Sequence, residues 1–196
     1  MTMDKAMSTD ADIVQAMQRW LERAVIGLNL CPFAKAVHVK GQIHYAVCHA
    51  TTSPALREAL AQELDALMAM DAEVRDTTLL IAPDMLANFI DFNDFLAEAD
   101  DVLVERDLDG IVQIASFHPD YQFGGTAPDD ITNYTNRAPY PTLHLLREDS
   151  VDRAVQAFPE AETIFERNMA TLEALGHAGW SALGLDAAAQ PSNIKT

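Results

Sequence analysis

The chain has 196 residues, and its 13 basic and 30 acidic side chains leave a net charge of −17 at neutral pH. Because this charge repels phosphate backbones and anionic lipid headgroups, we expect neither a nucleic-acid-binding nor a membrane-surface protein. A hydrophobic content of 49% can fill the core of one domain of this length. We therefore predict a single globular domain over residues 1–185 and a flexible tail over 186–196.

The first half of the chain alternates helical and strand patterns. Apolar residues recur at three- and four-residue steps over 13–28, which predicts an amphipathic helix that Pro32 interrupts. Residues 42–49 are rich in strand formers and predict the first strand. Ser53-Pro54 offers an N-cap and a first-turn proline for a second helix to about residue 70.

The second half of the chain adds three more predicted strands, at 77–82, 111–117 and 142–147. A helix is predicted between the first two of these, through Phe89 to Leu103, and another from Ser150 to Leu175 with an interruption at a proline. The order α-β-α-β-α-β-β-α predicts an α/β fold, a mixed sheet of about four strands with helices packed on it. Crossover helices imply that the first three strands are parallel, whereas the last two can pair antiparallel.

The chain lacks a basic N-terminal segment leading into an apolar one, and no apolar run is long enough to span a bilayer. These features predict a cytoplasmic protein. The two cysteines, Cys31 and Cys48, lack metal-site spacing, so we expect reduced thiols rather than a disulfide.

The most distinctive segment is the long polar loop over residues 116–141. Loops of this length in compact domains are often binding loops, lids or disordered segments. Its aromatic residues supply apolar surface to bury, which favours an ordered loop; they are Phe117, Tyr121, Phe123, Tyr134 and Tyr140. We predict that a functional site lies within residues 116–144.

Four motifs together resemble a bacterial family catalogued as domain of unknown function 1415. They are Leu28–Ala34, Ile90–Phe95, Ser116–Phe123 and Thr135–Glu148. The resemblance covers nearly the whole chain apart from its two ends. It implies a soluble, one-domain bacterial protein, but it supplies no activity, cofactor or catalytic residue.

Two histidines lead the candidate catalytic residues. If the last two strands pair antiparallel, His118 and His144 could meet at one end of the sheet. His118 would act as an acid or base that Asp120 or Asp91 orients, with His144 as its partner. A divalent metal held by the two histidines and a carboxylate is an alternative. In a purely structural alternative, His118 caps the strand end and His144 is a core residue.

Arg137 is the candidate ligand-binding residue, because no other Lys or Arg lies between Arg106 and Arg147. Its partner could be an anionic group of a small-molecule ligand, or Asp129 or Asp130 within the loop. The remaining candidate ligand-binding residues are Asn133, Asn136, Tyr121 and Thr126.

Cys31 is a candidate reactive thiol, since Pro32 would place it at a helix N-terminus with Lys35 one turn later. A small buried hydrophobic residue is the alternative. From the loop, we predict a small-molecule enzyme of hydrolytic or acid/base chemistry. A noncatalytic module that binds a small ligand or a protein, and a thiol-dependent protein, remain open.

Overall fold

The computed structural model describes residues 8–158 and 160–185, and its four strands form one sheet. The strands are β1 (Ile43–Val47), β2 (Thr77–Ile81), β3 (Val112–Phe117) and β4 (Thr142–Arg147). Their order is β1-β2-β4-β3, with β1 parallel to β2 and β4 antiparallel to both of its neighbours. The predicted mixed sheet and the strand directions are confirmed. The tail predicted over 186–196 lies outside the described residues.

Six α-helices pack around the sheet in the described part of the chain. They are α1 (Asp10–Trp20), α2 (Ala34–Val39), α3 (Ser53–Ala69), α4 (Phe89–Glu105), α5 (Glu148–Ala157) and α6 (Ile164–Ala182), and α1 continues as a π-helix over Leu21–Ile26. The short helix α2 had not been predicted, and the last predicted helix is divided into α5 and α6. None of the described helices is both long and apolar enough to cross a membrane.

One face of the sheet, here called the first face, carries the larger core. Successive side chains of a strand point to opposite faces, so Leu80, Leu143 and Leu145 share this side. They pack with α3 and α4 into a cluster that includes Leu60 and Phe92. The first face is thereby closed to solvent.

The opposite face, here called the second face, is covered only in part. Its residues form three rows across the strands: Ile43–Thr77–Leu146–Gln113, Tyr45–Leu79–His144–Ala115 and Val47–Ile81–Thr142–Phe117. Helix α1 and the π-helix pack against this face through Met17, Trp20 and Leu21. The polar side chains of Thr77 and His144 therefore lie on a face that also carries apolar core residues.

Candidate functional site

The predicted meeting of His118 and His144 is wrong. His144 pairs with Ala115 in the β3–β4 register, so it shares the second face with the odd-numbered residues of β3. His118 follows the end of β3, and its ring lies between Phe89 and Phe92 of α4, on the side of the first face. The sheet separates the two imidazoles, so they cannot share a proton or a metal ion.

Both ring nitrogens of His118 form hydrogen bonds to the backbone. Its Nε2 donates to the carbonyl oxygen of Leu86 at 2.9 Å, and its Nδ1 accepts from the backbone N–H of Asp120 at 2.9 Å. The side chain is fully buried, and that burial lowers its pKa. Leu86 has a φ of 58°, an unusual conformation for a bulky residue that the bond to His118 helps to hold. This geometry favours a structural role for His118, and its catalytic role stays a prediction.

The loop between β3 and β4 is ordered, as predicted, by hydrogen bonds within itself. Asn133 is fully buried: its Oδ1 accepts from the Phe123 N–H at 3.0 Å and from Thr126 Oγ1 at 2.7 Å. Its Nδ2 donates to the carbonyl of Ala127 at 2.8 Å. Asn136 donates to the carbonyl of Ser116 at 3.1 Å. These side chains hold the loop, and the predicted ligand contacts of Asn133, Asn136 and Thr126 stay untested.

Arg137 has neither of the internal partners that we expected. Its Nε donates to the carbonyl of Tyr121 at 3.2 Å and its Nη2 to that of Pro128 at 2.6 Å, while the guanidinium stacks on Tyr134 at 4.3 Å. No ion pair joins it to an acidic residue within the described part of the chain. Arg137 also lines a pocket of about 360 Å³, here called the loop pocket, with Trp20 and Trp180.

The two candidate orienting carboxylates lie at the surface. Asp120 contacts His118 through its backbone N–H, and its side chain is exposed. Asp91 is exposed in the first turn of α4. Across residues 8–158 and 160–185, no group of three or more His, Cys, Asp or Glu side chains has the arrangement of a metal site. The geometry therefore does not assemble the predicted combination of histidines and carboxylates.

Cys31 is free, like Cys48, but it is not at a helix N-terminus. Helix α2 begins at Ala34, and burial raises the pKa of the Cys31 thiol more than the backbone N–H groups of Phe33 and Ala34 lower it. The helix N-terminus predicted at Cys31 is therefore wrong, and its role as a reactive thiol stays a prediction. Cys31 instead lines a large cavity.

This cavity, here called the sheet cavity, has a volume of about 560 Å³ and lies over the second face. Its floor comes from the first two rows of that face, including Leu79, Ala115 and His144. One wall is formed by residues 31–37 and the other by α5 and Phe158. The rings of Phe33 and Phe158 meet edge to face at 6.0 Å and connect the two walls.

Few polar side chains line the sheet cavity. The carboxylate of Asp76 accepts from Ser150 Oγ at 2.6 Å and so has a partner. His144 Nε2 lies 2.6 Å from Thr77 Oγ1, and burial lowers the pKa of His144 to about 4. His144 is therefore uncharged at neutral pH, on the floor of a mainly apolar cavity.

A family model described as "Protein of unknown function (DUF1415)" matches residues 12–182. The chain belongs to the DUF1415 family. No curated protein and no solved structure matches it. The match includes every described strand, both cavity walls and the long loop, so the fold described above is that of the DUF1415 region.

Sequence reasoning missed the cavity of this DUF1415 protein, although two signals were present. Residues 150–158 place Val151, Ala154 and Phe158 at helical spacing, which marks an apolar face. The strand from 142 to 147 has His144 among apolar residues, which had been interpreted as either a core residue or a catalytic partner. Neither signal shows that the helix stands away from the sheet and leaves a cavity.

Proposed function

We propose that this protein binds an uncharged, largely apolar small molecule in the sheet cavity. The observation that carries the proposal is the cavity itself, whose volume of about 560 Å³ lies in the range of small-molecule sites. Such sites combine mainly apolar walls with a few polar groups, and Thr77 and His144 are such groups here. Of the functions left open by the sequence, the proposal corresponds to a noncatalytic small-ligand module.

The two walls support the proposal because few of their own apolar side chains are buried against the rest of the protein. Within the described chain, neither α2 nor α5 contains a buried residue, although Val37, Val151 and Ala154 face the cavity. Helices in proteins are stabilised mostly by packing an apolar face. A bound apolar molecule would supply that contact, at about 2.5 kcal/mol for each 100 Å² of apolar surface removed from water.

The charges around the cavity support an uncharged ligand. Among the described residues that line it, none is Lys or Arg, and the one carboxylate, Asp76, is hydrogen-bonded to Ser150. Burying an anion without a positive partner is strongly unfavourable. The net charge of −17 likewise disfavours an anionic ligand.

The acid/base enzyme predicted from the loop is the second candidate. The loop pocket supports it, because Arg137 and Tyr134 line this volume of about 360 Å³ and could contact an anionic group. His118 does not line this pocket, and both of its ring nitrogens already have partners. We therefore place ligand binding in the sheet cavity first.

Titration with Nile red, an uncharged dye that fluoresces in apolar surroundings, tests the proposal. We expect saturable binding of one dye per chain. Ala154→Trp would fill the cavity from the α5 wall and weaken binding at least tenfold. Gln156→Trp is the matched control, because Gln156 is exposed on the same helix and does not line the cavity. Absence of saturable binding, or equal binding by two folded variants, would overturn the proposal.

A further inference from the structure

The hydrogen bonds of Thr77 determine which nitrogen of His144 carries the proton. Thr77 Oγ1 lies 2.6 Å from the carbonyl oxygen of Leu145, and a carbonyl can only accept, so the single hydroxyl proton lies between these two oxygens. The same Oγ1 lies 2.6 Å from His144 Nε2 and must accept there. The neutral imidazole therefore carries its proton on Nε2, and Nδ1 is an acceptor.

The Nδ1 atom of His144 has no hydrogen-bond partner among the described residues. The ring has one hydrogen bond, through Nε2. In the described part of the chain, the side-chain polar atoms that are both inaccessible and unpartnered are Tyr45 Oη and Arg147 Nε, so Nδ1 retains accessible surface. His144 lies on a central strand of the sheet and lines the sheet cavity, so that surface faces the cavity.

We propose that His144 selects a ligand that carries a hydroxyl or N–H group and that Nδ1 accepts a hydrogen bond from this group. This inference rests on the proposed function, and it adds the chemical class of the ligand. Leu79 and Ala115 flank His144 in the same row and offer no polar side chain, so Nδ1 is the acceptor at that position.

The selection works against ligands that present only acceptors. An ester, ether or carboxylate oxygen would face the lone pair of Nδ1 and leave it without a proton donor. A hydrocarbon would leave the same atom unsatisfied. Phenols, alcohols and secondary amides can satisfy it, and the apolar walls accept the rest of the molecule. The ligand is thus an apolar body with at least one donor group.

Two probes of matched shape, 2-naphthol and 2-methylnaphthalene, test this selection by displacing Nile red. For each protein we take the ratio of the dissociation constant of 2-methylnaphthalene to that of 2-naphthol. This ratio should be about threefold to tenfold larger in the wild type than in the His144→Phe variant, the range expected for one hydrogen bond. Because the two probes have matched shapes, a change in the size of the cavity affects both dissociation constants alike and leaves their ratio unchanged. An unchanged ratio in a folded variant would overturn the inference.

Nitrogen NMR of His144 in the wild-type protein provides a test that does not depend on the variant. We expect the spectrum of a neutral ring protonated at Nε2, with an Nδ1 resonance that 2-naphthol shifts and 2-methylnaphthalene does not. A ring protonated at Nδ1, or equal responses to two bound probes, would overturn the inference while leaving the cavity proposal intact. Failure of both probes and Nile red to bind would instead contradict the proposed function.

Discussion

The indole Nε1 of Trp20 donates a hydrogen bond of 2.8 Å to the backbone carbonyl oxygen of Arg137. The bond joins the end of α1 to the end of the long loop, and Trp20 lines both the sheet cavity and the loop pocket. Its ring also meets Phe117 edge to face at 5.1 Å. One side chain therefore connects the two volumes that a ligand could occupy.

We expect Trp20→Phe to lower the free energy of unfolding by about 1–3 kcal/mol, because the part-buried carbonyl of Arg137 loses its donor. Urea unfolding would measure the change. Trp180→Phe is the matched control, since Trp180 packs against Tyr134 at 4.9 Å and its indole makes no hydrogen bond to a described residue. An equal loss in the two variants would contradict this explanation.

His118→Ala should lower the free energy of unfolding by about 3 kcal/mol, because it removes a buried ring and leaves the Leu86 carbonyl without its donor. The exposed His44 provides the control, and His44→Ala should change stability little. Urea unfolding of both variants would measure this. A loss no larger in His118→Ala than in His44→Ala would contradict the structural role and strengthen the catalytic prediction.

His144 should make the protein sensitive to acid. Its folded-state pKa of about 4 lies below the unfolded value of 6.5, so the unfolded state binds more protons between these two values. The stability contribution is complete above about pH 6.5, and roughly 3 kcal/mol is lost as the pH falls to about 4. Unfolding free energies of the wild type and of His144→Phe over this pH range would test this. As the pH falls, the wild type must lose more stability than the variant does.

His49 should have the opposite pH dependence. Its Nε2 lies 2.8 Å from Asp10 and its Nδ1 2.5 Å from Asp84, and these carboxylates raise its pKa. The stabilisation is complete below the unfolded value of 6.5 and is lost as the pH rises through the folded value. The stability difference between wild type and His49→Gln should therefore be larger at pH 6 than at pH 9. A difference independent of pH would contradict this.

Cys31 should react slowly with iodoacetamide, because burial raises the pKa of its thiol. In a Cys48→Ala background, the rate at pH 8 should be lower in the native protein than in the same protein unfolded by urea. As the pH is raised, the reaction rate of the native protein should level off at a higher pH than that of the unfolded protein. An apparent pKa below that of the unfolded chain would instead support the thiol-dependent hypothesis.

Most secondary structure could be predicted from the sequence because strand and helix periods are local properties. The fourth strand was predicted at 142–147, as observed, and the second helix began at Ser53 as observed. The helix α2 was missed because its six residues span fewer than two helical turns, too few to show a periodic pattern. Gly27 and Pro32 nearby also indicated a break.

The candidate site was predicted less well, for reasons that the register explains. Ala115 lies opposite His144, which sends His118 to the other face of the sheet. A shift of one residue would have brought both histidines to one face. The register depends on how a loop of more than twenty residues closes, and local sequence patterns do not specify this.

By itself, the sequence determined the fold class, the order of the elements, the family and an ordered loop between the last two strands, since each follows from local spacing or motif identity. Only the tertiary structure decided that His118 is enclosed by the protein, that Arg137 bonds to carbonyl groups and that His144 faces a cavity. The first two outcomes depend on how the long loop folds against itself and against α4, and the third depends on the packing distance between the sheet and α5. That distance is set by contacts between residues far apart in the chain, for which the sequence contains no periodic signal.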